Sequence, residues 1–264
     1  MKKVMFAAAL AAAFAATAEI ESANTVGYTT TTIAADTYYL IGVQFTGTGS
    51  TTEKIDMNSL IKLSASITPG TYDSDFVGAP QIQILKASGG YKSYFYISDA
   101  TDDNDDPLGY NCWADGDGYE LTSADELALA TGFWFKSAQA GTLSVAGQVL
   151  GSASKVVSFP ADTFYIMSSP YPQAFSLANV TTTGVTPGTY AADFANCASI
   201  QVLKTTGGYK SYFYISDATD DNDDEVGYNC WADGDGYILE GNQVEAGASF
   251  WIKSPTAGSM GFSL

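Results

Sequence analysis

The sequence predicts an all-β protein of two tandem homologous domains, each a sandwich-like or barrel-like unit of short antiparallel strands. Three observations predict it. Residues 89–119, reading GGYKSYFYISDATDDNDDPLGYNCWADGDGY, return as residues 207–237 with only Pro107 and Leu108 changed, to Glu225 and Val226. The same offset of 118 residues lays the TPGTY of residues 68–72 on that of residues 186–190, so a whole unit is duplicated. Finally, runs rich in Val, Ile, Thr, Tyr and Phe recur at close spacing between Gly, Pro and Thr clusters, which is the pattern of short strands and not of helices.

In chain order, residues 1–18 have the three parts of a secretory signal peptide: Met1-Lys2-Lys3, an apolar run over 4–16, and the small-residue site Ala16-Thr17-Ala18. Cleavage is expected after Ala18, placing the mature protein outside the cell or at its surface. No later stretch approaches the roughly 20 apolar residues of a spanning helix, so membrane insertion is not expected. The first domain is expected over 19–147 and the second over 148–264. Residues 29–33 and 38–45 read as strands, the latter apolar on both faces and hence buried. Residues 46–66 carry Ile55, Leu60 and Ile61 at helical spacing, and the matching segment 168–184 is shorter, as suits a surface connection. Residues 82–86 and 91–98 flank a glycine turn and read as a hairpin, with Phe95 and Ile97 on one face and Tyr94 and Tyr96 on the other. Residues 133–136 and 250–253 read as later strands, and a last strand follows Gly141 and Gly258.

Composition narrows the function. The net charge is −18, which excludes a phosphate-binding surface for nucleic acid and favours cations. The chain has no histidine and no arginine, so His-based triads, the usual zinc ligands and bidentate phosphate clamps are excluded. No enzymatic activity is expected. Three cysteines leave an odd count: a bridge between Cys197 and Cys230, one between Cys112 and Cys230, an intermolecular bridge, and plain buried thiols all fit the sequence.

The acids concentrate in two loops. Residues 99–117 and 217–235 hold 15 of the 29 acidic side chains and no lysine. Neighbouring carboxylates repel by roughly 1 kcal/mol per pair in water, so a compact loop calls for a counter-cation. Calcium takes six to eight hard oxygens, and Asp or Asn at alternate positions presents them. The expected ligands are Asp99, Asp102, Asn104, Asp106, Asp115 and Asp117, with Asp217, Asp220, Asn222, Asp224, Asp233 and Asp235 in the second copy. The loop is not an EF-hand, since Pro107 or Glu225 stands where glycine belongs and Trp113 or Trp231 where the closing glutamate belongs.

Tyr94, Tyr96, Tyr212 and Tyr214 are read as packing residues in preference to an exposed sugar platform, and Trp134 and Trp251 as core. The C-terminal residues 258–264 resemble the first half of the internal junction 141–151, and residues 22–28 its second half. Head-to-tail self-assembly is therefore expected, the C-terminal strand of one molecule meeting the N-terminal strand of the next.

The exported start, the Val26-Gly27-Tyr28 opening and the paired Phe-Trp-(Phe/Ile)-Lys-Ser motifs of residues 133–137 and 250–254 resemble secreted bacterial tandem-repeat β-proteins, a group with no activity to carry over. The expected role is a calcium-stabilised structural subunit at the cell surface, filamentous by strand pairing. The alternative is a carbohydrate-binding or adhesive module, and a carboxylate-based glycosidase ranks third.

Overall fold

The computed structural model describes residues 26–47, 53–122 and 126–264. The signal segment therefore lies outside the described residues. The chain is all-β, with 44% strand and 3% helix. Among the described residues no helix is long and apolar enough to cross a membrane.

The first repeat contains β1 (Val26–Ile33), β2 (Tyr38–Gly42), β3 (Lys54–Ile55), α1 (Met57–Leu60), β4 (Ile61–Leu63), β5 (Gln81–Leu85), β6 (Tyr91–Ile97), β7 (Cys112–Ala114), β8 (Leu127–Ala128), β9 (Gly132–Lys136) and β10 (Gly141–Gln148). The second contains β11 (Ser154–Phe159), β12 (Tyr165–Ser168), a 3-10 turn (Leu177–Asn179), β13 (Thr181–Thr183), β14 (Ser199–Leu203), β15 (Tyr209–Ile215), β16 (Cys230–Ala232), β17 (Ser249–Lys253) and β18 (Gly258–Ser263). Each repeat forms a five-stranded sheet, β2-β9-β5-β6-β7 or β12-β17-β14-β15-β16, and a three-stranded sheet, β1-β10-β4 or β11-β18-β13. A small β3-β8 pair occurs in the first repeat. The four main sheets stand in a propeller-like arrangement, in place of the two clearly separate tandem domains that the duplication predicts.

Local chemistry explains the elements. The predicted hairpin forms with Leu85 opposite Tyr91, because Gly89 and Gly90 take φ of +83° and +72°, a region closed to most side chains. Asp56 caps the short helix by accepting from Asn58 N at 2.9 Å. Asn58 in turn accepts from Trp113 N and donates to Trp113 O, acting as a strand partner for the end of β7. Alternation puts Ile82, Tyr94, Trp113, Phe133 and Phe135 on one face of the first five-stranded sheet, and all five are buried in that repeat's core. Ile200, Tyr212, Trp231, Phe250 and Ile252 do the same in the second. Burying a side chain of this size stabilises the fold by about 1.5–3 kcal/mol. The tyrosines expected to pack do so, with Tyr94, Tyr212 and Tyr214 buried and Tyr96 half-buried against the core.

The terminal strands close on their own repeats: β1 pairs with β10, and β11 with β18. β18 lies between β11 and β13 and is hydrogen-bonded on both sides. The C-terminal strand is thus paired on both edges within its own repeat. The internal junction is likewise not a strand pair between repeats, since β10 and β11 belong to different sheets.

The repeats meet instead through the outer faces and edges of the five-stranded sheets. Gly42 N donates to Gly247 O at 2.8 Å, and the equivalent Ser168 N donates to Ala130 O at 2.9 Å. Bridges pair Ile41 with Ala248 and Thr131 with Met167, so the contact has local two-fold symmetry. Gln44 reaches across to accept from Gly247 N at 2.8 Å.

Candidate functional site

The acidic loops are organised by their own carboxylates. Asp99 accepts from Tyr72 N at 2.7 Å and Asp73 N at 3.1 Å, and Asp217 accepts from Tyr190 N and Ala191 N at the same distances. Asp102 Oδ1 accepts from Asn104 N at 2.8 Å and Asp106 N at 3.0 Å, and Asp220 repeats the arrangement with Asn222 and Asp224. These backbone bonds stabilise the ionised form and hold both carboxyls below their ordinary range. Asp115 Oδ1 accepts from Asp117 N at 2.9 Å and Tyr119 N at 3.1 Å, matched by Asp233 with Asp235 and Tyr237. The Tyr119 and Tyr237 hydroxyls donate to Asp105 and Asp223 at 2.7 Å, which raises both phenols above their usual range. Beneath each loop sits a small apolar cluster, with Ile97, Ala100, Cys112 and Ala114 at its centre in the first repeat.

Of the twelve residues expected to ligate calcium, Asp99, Asp102 and Asp115, with their second-repeat partners, thus spend oxygens on main-chain N–H groups. Asp106 and Asp117 contribute no side-chain bond among the described residues, and the same holds for Asp224 and Asp235. Asn104 and Asn222 donate to Asp102 and Asp220 from their side-chain amides. Among the described residues no group of three or more Asp, Glu or Cys side chains is gathered as a metal site. All three thiols are free: Cys112 is buried, its pKa pushed up to about 12 by desolvation, and Cys197 and Cys230 are half-buried.

A second site was not expected. Between the outer faces of the two five-stranded sheets lies a cleft of about 740 Å³, within the range of small-molecule sites. Its lining comes in equivalent pairs, Gln83 with Gln201, Leu85 with Leu203, Tyr91 with Tyr209, Trp134 with Trp251, and Tyr38 with Phe164. None of the acidic-loop residues lines it. The Trp134 and Trp251 ring centroids lie 6.4 Å apart at 49°. Tyr38 stands edge-on to Trp134 at 6.0 Å, and Phe164 edge-on to Trp251 at 5.8 Å. Lys136 Nζ sits 5.2 Å from the Tyr38 ring centroid and Lys253 Nζ 5.0 Å from that of Phe164.

Trp134 and Trp251 are half-buried cleft residues, and this corrects the reading of them as core. The signal that finds them is the strand period of two, because Phe133 and Phe135 face the core and so turn Trp134 to the opposite face. The Gln83 and Gln201 amides and the Tyr91 and Tyr209 hydroxyls are half-buried or exposed and have no protein partner among the described residues. An amide both donates and accepts, so these groups can bond any ligand carrying hydroxyls. No protein-family model, curated protein or solved structure matches the chain.

Proposed function

We propose that this is an exported glycan-binding module whose ligand lies in the cleft between the repeats, each repeat being a sandwich-like unit with its own core. The observation that carries the reading is the pairing of unpartnered amides and hydroxyls with exposed aromatic faces on both walls. Sugar rings offer apolar C–H faces to aromatic rings and hydroxyls to amides, and the cleft presents both partners. A proline-rich peptide would also suit aromatic walls, but it brings few donors for the Gln83 and Gln201 carbonyls. The strongly acidic chain disfavours nucleic acid.

A glycan array probed with the purified protein tests this. Binding is expected, and Trp134→Ala and Trp251→Ala should each weaken it about tenfold, combining lost ring area with lost stacking. An empty array, or variants that bind as well as the parent, would overturn the reading.

A structural, self-associating role stabilised by calcium is the second reading. Two observations favour it: Asp103 and Asp117 lie in a loop without lysine and have no partner among the described residues, and the edge strands β1 and β11 expose Val26, Tyr28 and Val156. Under this reading calcium raises the melting temperature and the protein sediments as oligomers. An unchanged melt with a monomer in millimolar calcium removes it.

A further inference from the structure

We propose that the cleft takes an unbranched, equatorially linked oligosaccharide laid across both repeats, and that the Tyr38 hydroxyl decides which way round the chain lies. The proposal rests on the glycan reading above and adds the ligand's shape and its direction.

The shape follows from the walls. Trp134 projects from one sheet and Trp251 from the other, and with centroids 6.4 Å apart they leave no room for a ring between them, so the pair forms a continuous aromatic floor on which a ligand lies across both repeats. A chain of equatorially linked hexoses is flat and exposes apolar C–H surface on both faces. Branches or axial linkages would lift it off such a floor. The cleft volume of about 740 Å³ holds several such rings.

The direction follows from the symmetry. A linear oligosaccharide has a reducing and a non-reducing end, whereas a two-fold site has no direction. Rotation about the local axis exchanges Gln83 with Gln201, Leu85 with Leu203, Tyr91 with Tyr209 and Trp134 with Trp251, so a reversed chain meets the same groups. The exchange fails at one position. Tyr38 and Phe164 have equal exposure, 46% each, and matching edge-on contacts at 6.0 and 5.8 Å with interplanar angles of 87° and 86°. A lysine covers each ring at 5.2 or 5.0 Å. They differ only in the hydroxyl, and Tyr38 Oη has no partner among the described residues. One end of the site therefore has a donor and acceptor that the other end lacks. A single hydrogen bond of ordinary net strength biases two orientations by about fivefold.

The test uses the mature protein and a β-1,4-linked glucose hexamer bearing a nitroxide at its reducing end. Paramagnetic broadening of the Trp134 and Trp251 indole N–H signals reads the orientation. The parent protein should broaden one indole measurably more than the other, by a ratio no larger than the roughly fivefold population bias of one hydrogen bond. Tyr38→Phe and Phe164→Tyr should each bring the ratio close to one, and the double variant should reverse it. A parent ratio near one, or a bias that the double variant leaves unreversed, overturns the assignment of direction while leaving the binding site intact. If neither indole responds to the hexamer, the glycan reading falls with it.

Discussion

The two repeats are nearly identical in their acidic loops and differ where they touch each other. On the first five-stranded sheet Gly42 pairs with Gly132, and at the equivalent places on the second Ser168 pairs with Ser249. The glycine pair faces the serine pair across the interface. A Cβ on Gly42 would lie 2.7 Å from Ser168 Cβ, and one on Gly132 would lie 2.4 Å from Ser249 Oγ. Two copies of the second repeat would set serine against serine in that space, and two copies of the first would leave a gap. A symmetric dimer must place like against like. Duplication within one chain frees the two positions to diverge, so the contact that builds the cleft is specific to a first repeat meeting a second.

The largest effect should come from breaking that asymmetry. Gly42→Ser meets both Ser168 and the Ala248 carbonyl, 2.8 Å from the new Cβ, and should cost about 3 kcal/mol in a denaturant melt. Gly132→Ser should cost about 2 kcal/mol, and adding Ser249→Gly should recover about 1 kcal/mol, since it removes the Ser249 contacts at 2.4 and 2.6 Å and leaves that with the Ile166 methyl at 2.5 Å. Additive losses in that cycle would show that the serines and glycines do not sense each other.

A smaller effect tests a second difference. Trp231 Nε1 donates to Thr182 Oγ1 at 2.9 Å, whereas Trp113 Nε1 is buried with no partner among the described residues. Strand register explains it: Thr182 lies opposite Met260, and its counterpart, opposite Leu143, is Leu63, which has no oxygen to offer. Thr182→Val should therefore make the second repeat like the first and cost about 1–2 kcal/mol, the penalty of an unpaired buried donor. A thermal melt indistinguishable from the parent would contradict this.

The loops should respond alike to pH, and only locally. The Asp102 and Asp220 carboxyls are depressed in the fold, so the order they contribute is present above the usual carboxylate pKa of about 3.9 and is lost as pH falls through the depressed value. Tyr119 and Tyr237 are raised, so their contribution is present below the usual phenol pKa of about 10 and is lost as pH rises through the raised value. Amide exchange at Asn104, Asp106, Asn222 and Asp224 should accelerate at the acid limit. Equal protection at pH 2 and pH 7 would be inconsistent with carboxylate-capped loops.

Much of the strand layout is legible in the sequence, because alternation and glycine turns act locally. The hairpin over β5 and β6 and the opposed faces of Phe95 and Tyr94 follow from spacing, whereas of Ile55, Leu60 and Ile61, read at helical spacing, only Leu60 lies in the short helix and the other two lie in β3 and β4. The cleft is not legible in this way. Each half of its lining is an ordinary strand face, and only the packing of one repeat against the other turns Trp134 and Trp251 toward a common space. The Phe-Trp-Phe run reads as core through its hydrophobicity, although the strand period already separates the tryptophan from its neighbours. The acidic loops hide their internal partners for another reason. Their composition points to an ion, while the partners of Asp99, Asp102 and Asp115 are backbone N–H groups whose positions emerge only once the turns are built.

Whether the cleft between the repeats binds glycan can be read from the four tryptophan indole N–H resonances during titration with a linear β-1,4-linked glucose hexamer. Trp134 and Trp251 should shift together and saturably while the buried Trp113 and Trp231 stay in place. Shifts confined to Trp113 and Trp231, or no saturable change at any indole, would contradict binding in the cleft.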